Sequence, residues 1–191
     1  MAFSKDGKHL CSLSDDNQYL AIVWSIETSK AVATYKFGAD SVFDFAASRT
    51  EDLSFGFACK RGVNFYTVPE GVKTGLFNGN KLRDFISIGF LESGEAVTGS
   101  SNGEIYVWSG RSCKFTKKGH QGPVQIINGY KDFCLTGGKF KIIVYDSSWN
   151  IVRDIEVPSM VRAVDMNEKN MILAGLRDGK KNGTREAHVT K

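Results

Sequence analysis

Ser100-Ser101-Asn102-Gly103 followed by Glu104-Ile105-Tyr106-Val107-Trp108 is the stretch that decides the fold. Asn-Gly between two runs of β-formers is a strong hairpin signal, because both residues tolerate the positive φ that a tight turn needs. Working outward, Phe85 to Phe90 reads as a first strand and Leu91-Glu92-Ser93-Gly94 as a turn. Glu95 to Gly99 reads as a second strand, Glu104 to Trp108 as a third and Ser112 to Lys117 as a fourth. Four short strands joined by polar turns make one antiparallel unit, and no stretch carries a long helical period.

The unit recurs. Val23-Trp24, Phe65-Tyr66, Val107-Trp108 and Val144-Tyr145 place an aromatic after a hydrophobic residue at intervals of 42, 42 and 37 residues. A period near 40 marks one supersecondary unit used repeatedly. A fourth copy leads in with Gly119-His120-Gln121-Gly122-Pro123, with strands expected at Val124 to Ile127, Phe133 to Gly138 and Ile142 to Asp146. A Gly-His before the first strand and an aromatic closing the third resemble the WD-repeat blade of a β-propeller.

The copies are uneven at the ends. Met1 to Gly7 matches only the end of a first strand and its turn. The fifth copy shows two strands, Val161 to Met166 and Met171 to Gly175, before a polar stretch from Lys180 to Lys191. The expected fold is therefore all-β and an incomplete WD-repeat propeller, with three full four-stranded blades and a partial blade at each end. Blades are expected at about 1–37, 38–80, 81–118, 119–157 and 158–179, with 180–191 a polar basic tail that is disordered or non-native. Propellers close with about 4 to 8 blades, so other chains or segments are expected to complete or flank the array.

Charge adds a direction. The net charge is +4, but residues 180–191 hold +3 of it, so the array is nearly neutral and a global field for nucleic acid is absent. In a blade, the loops after the second and fourth strands share one rim. Lys60, Arg61, Lys117, Lys118, Lys139, Lys141 and Arg177 fall there, with Lys81 and Arg83, opposed by Asp15, Asp16, Asp40, Asp84 and Asp178, and the basic residues form the candidate partner-binding rim. The opposite rim carries Asp6, Glu51, Asp52, Glu92, Glu95, Asp132 and Glu168.

Reaction chemistry is not visible. Cys11, Cys59, Cys113 and Cys134 lack ligand spacing and read as free core thiols, three of them on second strands. His9, His120 and His188 do not converge in sequence. Gly137-Gly138-Lys139 lacks the remaining residues of a phosphate loop, and Asp15-Asp16-Asn17 lacks the closing Glu of a calcium loop. Asn182-Gly183-Thr184 has the form of a glycosylation acceptor but follows no secretory signal. No cofactor, metal or membrane partner is expected, and the chain is read as non-enzymatic and cytoplasmic. In WD blades the Gly-His histidine joins a turn Asp, a strand Ser or Thr and the Trp. Here His120 has Thr136 and Tyr145 available, while Lys139 or Phe140 stands where the Asp would be.

Three strings narrow the family. Ser14-Asp15-Asp16-Asn17 runs into Ile22-Val23-Trp24. Gly119-His120-Gln121-Gly122-Pro123-Val124 precedes Leu135-Thr136-Gly137-Gly138-Lys139. Val161-Arg162-Ala163-Val164 precedes Ile172-Leu173-Ala174-Gly175-Leu176-Arg177-Asp178-Gly179. In this order they resemble consecutive blades of the echinoderm microtubule-associated protein-like family. The resemblance implies a non-enzymatic scaffold that binds tubulin and sits on the cytoskeleton, including ciliary and axonemal microtubules. Read without it, the same blades equally suit a general WD-repeat adaptor in signalling or complex assembly.

Overall fold

The computed structural model describes residues 1–38, 40–77 and 83–177, together with the backbone of 187–190. Every element among them is a β-strand, and the strands form five antiparallel sheets in chain order. The first sheet contains β1 (Ala2–Phe3), β2 (His9–Leu13), β3 (Leu20–Ser25) and β4 (Lys30–Lys36). The second contains β5 (Val42–Ala47), β6 (Ser54–Cys59), β7 (Gly62–Thr67) and β8 (Gly71–Thr74). The third contains β9 (Phe85–Phe90), β10 (Ala96–Ser100), β11 (Glu104–Ser109) and β12 (Ser112–Lys118). The fourth contains β13 (Ile126–Tyr130), β14 (Phe133–Gly137), β15 (Lys141–Tyr145) and β16 (Ile151–Glu156). The fifth contains β17 (Met160–Met166), β18 (Ile172–Arg177) and β19 (Ala187–Thr190). Sequential up-and-down sheets of this kind are the blades of a WD-repeat β-propeller, here an incomplete one.

Within the segment 180–191, read from the sequence as a polar tail, Ala187–Thr190 forms β19, whose backbone pairs Ile172 with Thr190 and Gly175 with Ala187. Strand pairing needs only backbone N–H and C=O, so a polar segment can occupy the edge of β18 without an apolar pattern to announce it. Lys180 and Lys181 lie outside the described residues. In the fourth blade the first strand begins at Ile126, not Val124. Val124 is fully buried and its N–H donates to Ser100 O in the preceding blade. Its apolar character thus serves packing between blades.

The third-strand aromatics occupy a special register. Between Val23 and Trp24, Val107 and Trp108, and Val144 and Tyr145 the pairing to the fourth strand shifts by one residue. Val32, Lys114 and Val152 are the extra residues, so each fourth strand bulges beside the aromatic, which increases local twist. The second blade pairs regularly past Phe65-Tyr66. Trp24 Nε1–H donates to Ser12 Oγ and Trp108 Nε1–H donates to Thr98 Oγ1, both at 2.9 Å. The repeated Trp is therefore tied to a hydroxyl on its second strand.

Apolar side chains are buried between blades. Cys11, Ala21 and Val23 of the first meet Phe55, Phe57 and Tyr66 of the second. Ala58 and Val63 of the second meet Phe85, Ile88, Tyr106 and Trp108 of the third. Val97 and Ile105 of the third meet Val124, Cys134 and Tyr145, and Leu135, Ile142 and Val144 of the fourth meet Val161, Val164 and Ile172. Each core belongs to two neighbouring blades, the arrangement expected of a repeat array stabilised by nearest-neighbour interfaces. Burial pushes the thiols of Cys11 and Cys134 up to about 12 and that of Cys59 up to about 11, so these are inert core groups.

First strands are cross-linked by polar contacts. Asp44 Oδ2 accepts from Ile88 N at 3.0 Å, while burial pushes its carboxyl up to about 6 against that bond and one from Phe45 N. Ser87 Oγ donates to Val124 O at 2.7 Å, and Asn128 Nδ2 donates to Val164 O at 3.2 Å. Arg49 spans three blades, donating to Glu92 Oε1 at 2.7 Å and Gly129 O at 2.8 Å.

Candidate functional site

Antiparallel order places the ends of second and fourth strands at one edge of each blade. Lys60 and Arg61 occupy the β6–β7 turn, Lys118 ends β12, Lys139 lies in the β14–β15 turn, Lys141 opens β15 and Arg177 ends β18. These six side chains therefore share one edge of their blades, and all but the half-buried Lys141 are exposed. Arg61 pairs with Asp40 at 3.3 Å and Lys141 with Asp154 at 3.0 Å. Lys118 Nζ donates to Asn102 O in the hairpin turn of its own blade. Arg83 stands 4.0 Å from Glu104, and Lys81 lies outside the described residues. Exposed pairs of this kind hold side chains loosely and contribute little to stability, so the charges stay available to a partner.

Lys117 behaves differently. Its ammonium donates to Trp149 O in the turn between β15 and β16, at the opposite edge, and lies 5.1 Å from the centroid of the Tyr145 ring. It is half-buried and pins the third blade to the fourth, so the structure does not bring it to the rim surface.

Around Lys139 the rim hollows into a cleft of about 650 Å³. Gly119, His120, Gln121 and Gly122 form one wall, Lys139, Phe140 and Lys141 another, with Glu156 and Val157 beside them. The loop wall is held by Gly103 O, which accepts from both Gly119 N and His120 N at 3.0 Å. Phe140 is 52% exposed although it sits in a turn, with the Lys139 ammonium 5.0 Å from its ring centroid. Sequence reasoning passed over Phe140, Glu156 and Val157 as lining residues. The one available signal was the Lys-Phe-Lys string, an aromatic where a hairpin turn is otherwise polar.

His120 forms the floor. It is only 4% exposed, and its Nε2 lies 2.9 Å from Thr136 Oγ1. Burial, and then the Lys141 charge, lower its pKa to about 4, so the imidazole is neutral near pH 7. Among the described residues nothing hydrogen-bonds Nδ1. Gly138 lies against it, since a Cβ there would come within 2.5 Å of Nδ1. The Tyr145 hydroxyl is buried and also unpartnered among the described residues. Tyr145 stands where Trp108 stands one blade earlier, but its hydroxyl does not reach Thr136 as the indole reaches Thr98. Tyr145→Phe is accordingly expected to raise the denaturant midpoint by the equivalent of about 1 kcal/mol, because it deletes a buried donor that has lost its water. A loss of stability in urea titration would show that the hydroxyl is satisfied in solution.

No group of three or more His, Cys, Asp or Glu side chains that could hold a metal ion occurs among the described residues. No protein-family model matches the chain. Echinoderm microtubule-associated protein-like 1 of Rattus norvegicus is 27% identical over 191 aligned positions, covering 92% of this chain and 23% of the relative. The corresponding protein-like 2 of Mus musculus is 28% identical, covering 83% of this chain and 26% of the relative. Protein-like 4 of Homo sapiens is 29% identical, covering 91% and 20%. The chain thus spans about a quarter or less of the length of these curated relatives. Matched over most of its length by several members and folded into blades of the WD-repeat kind, the chain is similar to proteins of the echinoderm microtubule-associated protein-like family.

Proposed function

We propose that this chain is a non-enzymatic part of a microtubule-associated WD-repeat scaffold in the cytoplasm, and that its basic rim faces the acidic surface of tubulin. Ciliary and axonemal microtubules are the proposed setting, with other protein chains flanking the array. Membrane and nucleic acid have no part in this reading. Similarity to this family supports the association, because the matched relatives bear microtubule association in their names. The rim supports the orientation: Lys60, Arg61, Lys118, Lys139, Lys141 and Arg177 come to one edge, which leans positive against Asp15, Asp16, Asp40 and Asp84 on the same edge. Complementary charge steers encounter and fixes register even where single pairs are weak.

Reversing Lys60, Lys118, Lys139 and Lys141 to Glu together is expected to weaken co-sedimentation with microtubules at least about tenfold at low salt, since exposed pairs contribute roughly 0.2 to 1 kcal/mol each and reversal adds repulsion. The difference should shrink as salt is raised. Unchanged co-sedimentation by a folded variant would remove the rim from the interface.

A further inference from the structure

We propose that the cleft between the third and fourth blades receives a carboxylate side chain from an acidic peptide segment, which takes the hydrogen-bonding position at His120 Nδ1 that no described residue fills. This rests on the reading of the rim as a docking face and names the one place on it built to hold a single group.

Three observations converge on a carboxylate. His120 is almost fully buried yet lines an open cleft, and only one of its two ring nitrogens is engaged by the protein. Lys139 and Lys141 border the same cleft, against the single carboxylate of Glu156, with Lys141 also drawn toward Asp154. Gly138 lies against the ring beside Nδ1 and adds no side chain to the cleft there. The exposed Phe140 ring offers an apolar surface for the methylene groups of a glutamate.

Proton positions are consistent with this. The neutral imidazole has one N–H, and because the Thr136 hydroxyl donates to Ile143 O at 3.3 Å, Thr136 Oγ1 accepts from Nε2–H in the free chain. A carboxylate beside Nδ1 selects the other tautomer, in which Nδ1–H donates to the carboxylate and the Thr136 hydroxyl turns from Ile143 O to donate to Nε2. The proton stays on the imidazole and moves from one nitrogen to the other, so the buried ring takes up no net charge.

The test uses a capped hexaglutamate peptide, with capped hexaglutamine as its control. Nitrogen NMR of the His120 ring should show Nε2 as the protonated nitrogen in the free chain and Nδ1 on saturation with hexaglutamate, with no change for hexaglutamine. Lys139→Asp supplies a carboxylate from the turn itself and is expected to abolish peptide binding while keeping or raising thermal stability. Lys141→Ala is expected to weaken binding about fivefold, the size of one charge-assisted contact at a partly exposed site. Ring nitrogens unmoved by hexaglutamate, equal binding of hexaglutamine, or undiminished binding by Lys139→Asp would each overturn the proposal. Microtubule co-sedimentation separates it from the wider reading. If rim reversal weakens co-sedimentation while hexaglutamate leaves His120 untouched, the cleft reading falls and the rim survives. If hexaglutamate moves His120 but rim reversal leaves co-sedimentation intact, the cleft stands as a carboxylate site and the docking-face reading falls.

Discussion

Gly103→Ala is expected to destabilise the chain by at least about 3 kcal/mol, lowering the melting temperature by roughly 6 to 12 °C for a domain of this size. Gly103 has φ +86°, where a Cβ is disfavoured, and a Cβ at that position would lie far inside contact distance of the His120 carbonyl. The obstacle is backbone, so no rotamer change relieves it. Either the hairpin turn or the loop at Gly119 and His120 must move, and Gly103 O then releases the two N–H groups it accepts. Gly7 supplies the control: its φ is +67°, but a Cβ there would meet nothing within 4 Å. Gly7→Ala should therefore cost only the conformational part, about 1 to 2 kcal/mol. Thermal melts of both variants separate the two contributions, and equal costs would mean the loop yields freely. Because the moved loop is a wall of the cleft, Gly103→Ala should also disturb His120.

The repeat was legible because it is written in residues that perform the same task in each copy. Trp24 and Trp108 each reach a hydroxyl on the second strand, and Gly103 takes the positive φ that the turn needs. What failed had weaker or misleading local signals. Val124 looks like the start of a strand, but its burial comes from the blade before it, a contact that local pattern cannot show. Ala187–Thr190 pairs with β18 through its backbone, in a polar segment where Val189 is the one hydrophobic β-former.

The rim was legible as a list of charges but not as a surface. Lys117-Lys118 reads as one basic pair, yet neighbours on a strand point to opposite faces. Lys118 stays at the rim while Lys117 crosses to Trp149. The cleft was less legible still. His120, Thr136 and the missing turn Asp were visible as members of an unfinished network, whereas the cleft itself follows from how the loop at Gly119–Gly122 faces the Lys139–Lys141 turn.

Trp108→Ala is expected to cost about 3 to 5 kcal/mol, the range for deleting a large buried aromatic that the surroundings cannot replace. Trp108 is fully buried, with Phe65, Phe77, Phe85 and Tyr106 around it at ring-centroid distances of 5.9, 6.2, 6.0 and 6.4 Å. Its Nε1–H bond to Thr98 is a smaller part, so Trp108→Phe should lose less than Trp108→Ala. Trp24 holds the same place in the first blade but is only half-buried, and Trp24→Ala should cost less again. The same aromatic therefore carries different weight according to whether a neighbouring blade covers it. Phe65 comes from the second blade and Trp108 from the third, so this cluster is also the joint between them. In an array coupled through nearest neighbours, weakening one joint should do more than lower the midpoint. Trp108→Ala should broaden the urea transition and reduce its apparent m-value, because the blades on either side begin to unfold separately. Trp24→Ala, acting nearer one end, should shift the midpoint with less broadening. A single sharp transition for Trp108→Ala, with the m-value retained, would show that the blades unfold as one unit and that the joint is not where cooperativity is transmitted.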